Sequence, residues 1–274
     1  MSETDLIDSN GADTNGTAPY DASPALDALR ESLKDCARCG LSTGRTQVVF
    51  GAGDPNARLL FVGEGPGFHE DKLGEPFVGA AGKLLTELLG KIGLSRADVY
   101  IANVVKCRPP ENRDPLPDEI EACSPHLMQQ IAIIKPKVIC TLGRFATKLL
   151  ADTELSMTAV HGKAKPRQIG GVDLVVFPVF HPAAALYNPA NRQVLELDFA
   201  KLRHLLIHGL GPRYEEAADG EAAKQEAARQ ESARLEAVCA DASQQAAATA
   251  AGNPAPASPG KNPPPERTEQ LPLW

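Results

Sequence analysis

Four short apolar segments alternate with longer segments of helical spacing along the middle of the chain. The apolar segments are nearly continuous in Val, Ile, Leu and Phe, which is typical of strands buried on both faces. They cover residues 58–63, 99–105, 137–143 and 174–180. Segments with helical spacing follow them, at residues 81–94, 117–135, 144–151 and 191–208. This alternation predicts a three-layer α/β/α sandwich with a mainly parallel sheet.

The two ends of the chain have a different composition. Residues 1–24 contain five acids and no Lys or Arg, while residues 213–274 are rich in Ala, Glu and Gln and then in Pro. Such segments lack the apolar surface that would offset chain entropy. We therefore predict a disordered acidic tail over residues 1–24, one domain over residues 25–212, and a low-complexity tail over residues 213–274 that is disordered or partly helical.

The charge of the predicted domain differs from that of the whole chain. The net charge is −7 overall, but residues 25–212 hold 22 basic and 20 acidic residues, and the bases cluster at 106–113, 135–137 and 163–167. A local basic strip can guide a phosphate backbone even on an acidic chain. Ordinary solvated surface explains the same clusters equally well.

The beginning of the chain is polar and acidic, unlike a secretory signal, and no apolar run approaches the roughly 20 residues that span a bilayer. We expect a soluble cytoplasmic protein that does not enter a membrane. In that compartment free or metal-bound thiolates are expected rather than disulfides.

Four of the six cysteines suggest a metal site. They are Cys36, Cys39, Cys107 and Cys123. The first two form a C-x2-C pair, and the others flank a Pro-rich loop. Four thiolates can hold a tetrahedral zinc ion or an iron–sulfur cluster. Two other interpretations stay open: a redox pair at the C-x2-C alone, or no special role. Cys140 lies within an apolar strand, where it is expected to be a small buried hydrophobe.

Polar and glycine residues follow several predicted strands, where α/β sheets bind their ligands. "GEGPG" (63–67) follows the first strand, Asn103 stands near the end of the second, and His181 follows the last. Phe77 lies in the loop "GEPFVG". Each has an ordinary structural explanation by itself, as a tight turn, a satisfied amide, a strand-end histidine or a core aromatic. Their common place at one sheet edge favours a ligand site for a flat ring.

The motifs "CARCGL", "GEGPG…ED…G-EPFVGAAG", "NVVKCRPPENRDPLPDEIEAC" and "HPAAAL" occur in that order. Together they resemble the family 4 uracil-DNA glycosylases, the iron–sulfur branch of that superfamily, over about residues 25–208. The resemblance implies a central four-stranded parallel sheet between helices, a [4Fe-4S] cluster on Cys36, Cys39, Cys107 and Cys123, and a pocket for uracil flipped out of DNA.

The resemblance also implies roles for individual residues. His181 would donate a hydrogen bond to uracil O2, together with N–H groups of the glycine turn. Asn103 would read the O4/N3 edge, and Phe77 would stack on the base. Glu64 is the first candidate for the carboxylate that orients water, while Glu70 would line the pocket and exclude the methyl group of thymine; those two roles could be exchanged. The implied base-contacting set is Gly63, Glu64, Gly65, Glu70, Phe77, Asn103 and His181.

Better-known members of the superfamily have Asp where this chain has Gly65. A related branch traps uracil through a histidine that residues 108–122 lack, so hydrolysis with release is expected. Leu186 is the candidate wedge for the vacated base stack, although packing on Tyr187 explains it equally well. The basic residues that are candidates for DNA contact are Lys106, Arg108, Arg113, Lys163, Lys165 and Arg167.

The chain ends in "QLPLW" after a Pro-rich linker. Gln270, Leu271, Leu273 and Trp274 resemble the short bacterial motif that binds the DNA sliding clamp, although five residues are easily matched by chance. The sequence predicts a monomeric, nucleoid-associated uracil-DNA glycosylase that acts in base-excision repair. Two alternatives stay open: a non-catalytic iron–sulfur module that binds DNA and is tethered to the clamp, and a zinc-stabilised hydrolase of free nucleosides.

Overall fold

The computed structural model describes residues 21–186 and 188–210. The helices are α1 (Ser23–Ser32), α2 (Phe68–Leu73), α3 (Ala80–Lys91), α4 (Pro117–Ile134), α5 (Arg144–Ala151), α6 (Met157–Val160) and α7 (Pro189–His208). The strands are β1 (Ala52–Gly53), β2 (Leu59–Gly63), β3 (Tyr100–Asn103), β4 (Val138–Leu142), β5 (Lys165–Ile169) and β6 (Val172–Val179). Four 3₁₀ turns lie at Gly40–Thr43, Arg96–Asp98, Pro110–Asn112 and Pro182–Ala185.

Within the described residues the sheet has six strands, in the order β1-β3-β2-β4-β6-β5. The four predicted strands form its centre, where β3, β2, β4 and β6 are mutually parallel. The expected count of four is corrected by two antiparallel edge strands, β1 and β5. β1 is only two residues long, and β5 reads "KPRQI" with mostly half-buried positions, so neither produces an apolar run.

Helices cover both faces of the sheet and confirm the three-layer sandwich. Successive strand residues point to opposite sides: Leu60 and Val62 of β2 enter one core with residues of α1, α4 and α5. Leu59 and Phe61 enter the other core with residues of α3 and α7. Because these strands are buried on both sides, their apolar runs have no alternation to distinguish the faces.

The folded region begins before the predicted boundary at residue 25. α1 starts at Ser23, and Ala22 is fully buried in the first core. Most of the predicted tail 1–24 and the whole of the predicted tail 213–274 lie outside the described residues. Within the described part of the chain, no helix is long and apolar enough to span a bilayer.

Candidate active site and cysteine cavity

The pairing of β2 with β3 builds the first part of the site. Gly63 lies opposite Asn103 at the ends of these parallel strands. The pairing continues beyond them, because Val104 N donates to Gly63 O at 2.9 Å and Val105 N donates to Glu64 O at 3.1 Å. Glu64 and Asn103 are therefore held side by side at the carboxyl edge of the sheet.

An open cleft of about 320 Å³ lies at this edge. Six of the seven predicted base-contacting residues line it: Glu64, Gly65, Glu70, Phe77, Asn103 and His181. Gly63 lies directly behind two of them, since a Cβ built there would stand 2.5 Å from Asn103 Oδ1 and 2.6 Å from Phe77 Cζ. The absence of a side chain at Gly63 thus leaves Asn103 and Phe77 in contact with the cleft.

Phe77 is held in an unusual backbone conformation. Its φ is +56° and its side chain is 7% exposed. Glu70 Oε1 accepts hydrogen bonds from the N–H groups of Val78 at 3.0 Å and Gly79 at 2.9 Å. From the other side, the Arg96 guanidinium donates to the Phe77 carbonyl at 3.2 Å and to the preceding proline carbonyl at 2.8 Å. Two charged side chains thus fix the loop that carries the ring.

Asn103 carries an unpaired polar atom. The residue is 1% exposed, and its Oδ1 has no hydrogen-bond partner among the described residues. An unsatisfied buried acceptor costs about 1–3 kcal/mol. A ligand in the cleft that offered an N–H to this atom would recover that cost.

His181 is prepared as a neutral hydrogen-bond donor. Burial lowers the pKa of its imidazole to about 4, and the nearby Glu70 only partly opposes this. Nδ1 accepts a hydrogen bond from Ala183 N at 3.2 Å, which places the single proton of the neutral ring on Nε2. The ring centroid lies 5.5 Å from that of Phe77.

Glu64 is half-buried at the mouth of the glycine turn. Desolvation raises the pKa of its carboxyl group, Asp114 raises it further, and Arg144 opposes them. Asp114 and Arg144 also pair with each other. The neighbouring Gly65 has a steric reason for its identity, because a Cβ there would stand 2.7 Å from Val105 Cγ2. An aspartate at position 65 would therefore require this contact to move.

The four predicted metal-binding cysteines line one shared cavity. It lies beside the first core and is also lined by Arg45 and His126. Within the described residues no three His, Cys, Asp or Glu side chains form a group that could hold a single metal ion. In a four-iron cluster each cysteine binds a different iron, so the sulfurs surround a cage instead of one point. The four thiols around a shared cavity fit that donor arrangement.

Hydrogen-bond donors face these sulfurs. Lys106 N donates to Cys123 Sγ at 3.3 Å, and Arg45 Nη1 donates to Cys107 Sγ at 3.4 Å and to Cys36 O at 2.6 Å. Burial raises the pKa of Cys107 to about 11, against the opposing effect of Arg45. Arg45 was not identified from the sequence, since nothing in "TGRTQ" distinguishes it from a surface arginine.

The prediction that Lys106 contacts DNA is wrong. Its side chain turns inward after β3 and is 2% exposed. Nζ donates to Asn103 O at 2.9 Å and to Gln130 Oε1 at 2.5 Å, and Gln130 in turn donates to Phe50 O at 2.9 Å. This buried network ties the end of β3 to α4.

The other candidate DNA contacts fall into two groups. Arg113 lines the cleft and pairs with Glu119 at 2.6 Å, and Arg108 directly precedes the cleft residue Pro109. The second group, Lys163, Lys165 and Arg167, lies on or just before the edge strand β5. Arg167 Nη2 lies 3.3 Å from Asp152 Oδ2.

Leu186, the candidate wedge, is exposed after the turn that follows His181. Its alternative partner Tyr187, and the four residues of the predicted clamp motif, lie outside the described residues.

Comparison with known proteins agrees with this geometry. Residues 50–203 match the model of the uracil DNA glycosylase superfamily, and the chain belongs to that superfamily. It is 52% identical over 188 residues to a protein from Sulfurisphaera tokodaii, covering 67% of this chain and 86% of the relative. It is 45% identical over 190 residues to a protein from Thermotoga maritima, covering 68% of this chain and 97% of the relative. Both relatives are named Type-4 uracil-DNA glycosylase, and the chain is a member of that type-4 family.

Proposed function

We propose that this protein is a monofunctional uracil-DNA glycosylase that hydrolyses the N-glycosidic bond of deoxyuridine in DNA and leaves an abasic site for base-excision repair. The observation that carries the proposal is the convergence of an amide with an unpaired oxygen, a neutral imidazole and a buried aromatic ring on one cleft. A base flipped out of the helix would bring to that cleft the flat ring and polar edge that these groups match.

Asn103 would provide the choice of base. Its amide presents an acceptor and a donor side by side, which match the N3–H and O4 of uracil. Cytosine has no proton on N3 and carries an amino group in place of O4, so it would leave both amide atoms badly paired. Phe77 would stack on the base, and the fixed loop would keep its ring in place.

His181 would stabilise the leaving base. Cleavage of the glycosidic bond sends electrons into the uracil ring, and negative charge develops on O2. The Nε2–H of the neutral imidazole and N–H groups of the glycine turn would donate to that oxygen. Because the ring is already neutral at physiological pH, this donor needs no proton uptake before the reaction.

Glu64 would orient the attacking water and stabilise the positive sugar. Glu70 is less suited to that role because one of its oxygens is engaged by the two N–H groups after Phe77. Its part would be to hold the loop and narrow the pocket against thymine. The desolvated Glu64 carboxylate, in its ionised form, would face the developing positive charge at short range.

Cys36, Cys39, Cys107 and Cys123 would hold a [4Fe-4S] cluster. When bound, the cluster supplies four metal–thiolate bonds that cross-link the C-x2-C segment, the end of β3 and α4. Arg45 and the Lys106 amide would donate hydrogen bonds to its sulfur ligands. The role of these residues is to hold the 108–116 loop beside the cleft.

Contacts with DNA would surround the cleft. Arg108 and Arg113 would approach the strand beside the flipped nucleotide, with Lys163, Lys165 and Arg167 further along the edge of the sheet. Leu186 would enter the base stack that uracil vacates. We further propose that the enzyme works as a cytoplasmic monomer, and that Gln270, Leu271, Leu273 and Trp274 bind the sliding clamp and raise its local concentration at replicating DNA.

Uracil excision from a labelled single-stranded oligonucleotide tests the proposed function. Wild type should produce alkali-sensitive breaks at uracil, and His181→Ala should be slower by about 10²–10³-fold because a preorganised donor to O2 is lost. Lys91→Met, at the far end of α3, is the control and should match wild type. A wild-type protein that binds the oligonucleotide but leaves it intact would favour the non-catalytic module.

The pH dependence of excision should identify the carboxylate. Because desolvation raises the pKa of Glu64, its active ionised form is lost as pH falls, at a pH above the usual glutamate pKa near 4.5. His181, with a pKa of about 4, is still neutral there. Single-turnover rates should therefore fall on the acid side in wild type, while Glu64→Gln should be slow and flat over the same range. An unchanged acid limb in Glu64→Gln would transfer the role to another group.

The cluster can be tested by composition. The purified protein should be brown and contain about four iron and four sulfide per chain. Cys107→Ala should lose visible absorption and iron together, whereas Cys140→Ala, in the centre of β4, should keep both. Stoichiometric zinc in a colourless wild-type protein would contradict the assignment.

The proposed contact with the DNA sliding clamp can be tested by truncation of the chain. Removal of residues 270–274 should abolish binding to the bacterial sliding clamp in surface plasmon resonance, with uracil excision from naked DNA unchanged. A truncated chain with full affinity for the clamp would exclude the motif as the binding element.

A further inference from the structure

An exposed aromatic ring gathers two cations at the mouth of the cleft. Phe68 begins α2, directly after the cleft residue Gly67, and is 45% exposed. Lys72 Nζ lies 4.4 Å from the centroid of its ring, and Arg108 Cζ lies 5.1 Å from the same centroid. Both distances are within the range of a cation–π contact.

Within the part of the chain that the structure describes, neither cation is paired with a carboxylate. In the described ranges 21–186 and 188–210, no Asp or Glu lies within 4.0 Å of Lys72 or Arg108, whereas Arg113 and Arg144 nearby are both ion-paired. Arg108 Nε donates to Asn112 Oδ1 at 2.7 Å. This bond fixes the guanidinium through Nε and directs Nη1 and Nη2 away from Asn112. Two like charges around one ring repel each other, and the negative faces of the phenyl group offset part of that repulsion.

We propose that Phe68, Lys72 and Arg108 form a binding site, the phosphate clamp, for a backbone phosphate of the DNA strand next to the flipped nucleotide. This inference rests on the proposed function for the identity of the polyanion. The phosphate would supply the negative charge that the pair lacks, and the ring would hold both cations ready before DNA arrives. Lys72 reaches this point from α2 and Arg108 from the loop after β3, so the phosphate would join the two segments that border the cleft.

Two supports hold α2 in this place. Both carboxylate oxygens of the buried Asp71 accept from Thr46 N, at 2.9 and 3.1 Å. Glu70 binds the Phe77 loop through the two N–H bonds described above. A phosphate bound by Lys72 would therefore be positioned relative to the ring that stacks on the base.

The salt dependence of DNA binding tests the phosphate clamp. The probe is a fluorescent single-stranded oligonucleotide whose deoxyuridine carries a 2′-fluoro group, which resists cleavage, titrated between about 50 and 200 mM salt. Lys72→Met and Arg108→Met should each weaken binding and reduce the slope of log K against log salt by about 0.7. Phe68→Leu, which keeps both charges but removes the ring, should weaken binding about 2–5-fold. Phe68→Tyr should retain the wild-type affinity.

Lys91→Met is the matched control, since this lysine is half-exposed at the opposite end of α3 and should leave the slope unchanged. Lys72→Met is the deciding variant because it lies away from the cysteine cavity, which Arg108→Met could disturb. A wild-type slope in Lys72→Met would overturn the phosphate clamp even if the wild-type protein excises uracil. A reduced slope in Lys72→Met, combined with a wild-type protein that does not excise uracil, would support the phosphate clamp and overturn the proposed function.

Discussion

The pairing of β2 with β3 is the constraint on which the rest of the site depends. Opposed Gly63 and Asn103, together with the two backbone bonds beyond them, determine where the glycine turn leaves the sheet and where the Asn103 amide stands. A shift of one residue in this register would turn Asn103 to the other face of the sheet. It would also place a side chain where Gly63 now leaves room for Asn103 and Phe77. The candidate base-reading amide and the candidate water-orienting carboxylate are therefore consequences of one strand pair.

The Phe77 loop shows how the fold stabilises an unfavourable local conformation. A non-glycine residue with positive φ costs on the order of 1–3 kcal/mol. Glu70 and Arg96 compensate with charge-assisted hydrogen bonds to N–H and carbonyl groups on either side of the ring. The first turn of α3 adds a steric limit, since a Cβ at Gly82 would stand 1.7 Å from Phe77 O. The ring is thus held in place without a ligand, which would lower the entropy cost of the proposed stacking on a base.

The cysteine cavity and the cleft are connected through a short stretch of chain. Lys106 contacts both, because its amide donates to Cys123 Sγ and its ammonium donates to the carbonyl of Asn103. The next residues are Cys107 of the cavity and Arg108 at the cleft mouth. A group bound by the four thiols would therefore restrain the same segment that presents Asn103 and Arg108. This connectivity supports a structural role for the proposed cluster.

Sequence by itself determined the central parallel strands, the α3, α4, α5 and α7 helices, and the residues that meet at the carboxyl edge. Those features depend on apolar runs and on the rule that ends of parallel strands share one edge, both readable from local pattern. Only the tertiary structure determined the environment of Lys106. Its basic side chain was predicted to contact DNA, but it turns inward to Gln130 and Asn103. The same holds for Arg45, Arg96 and Phe68, each of which has a partner that is distant in the chain: Cys107, the Phe77 loop, and Arg108. Such roles follow from long-range contacts between side chains, which no local pattern of residues encodes.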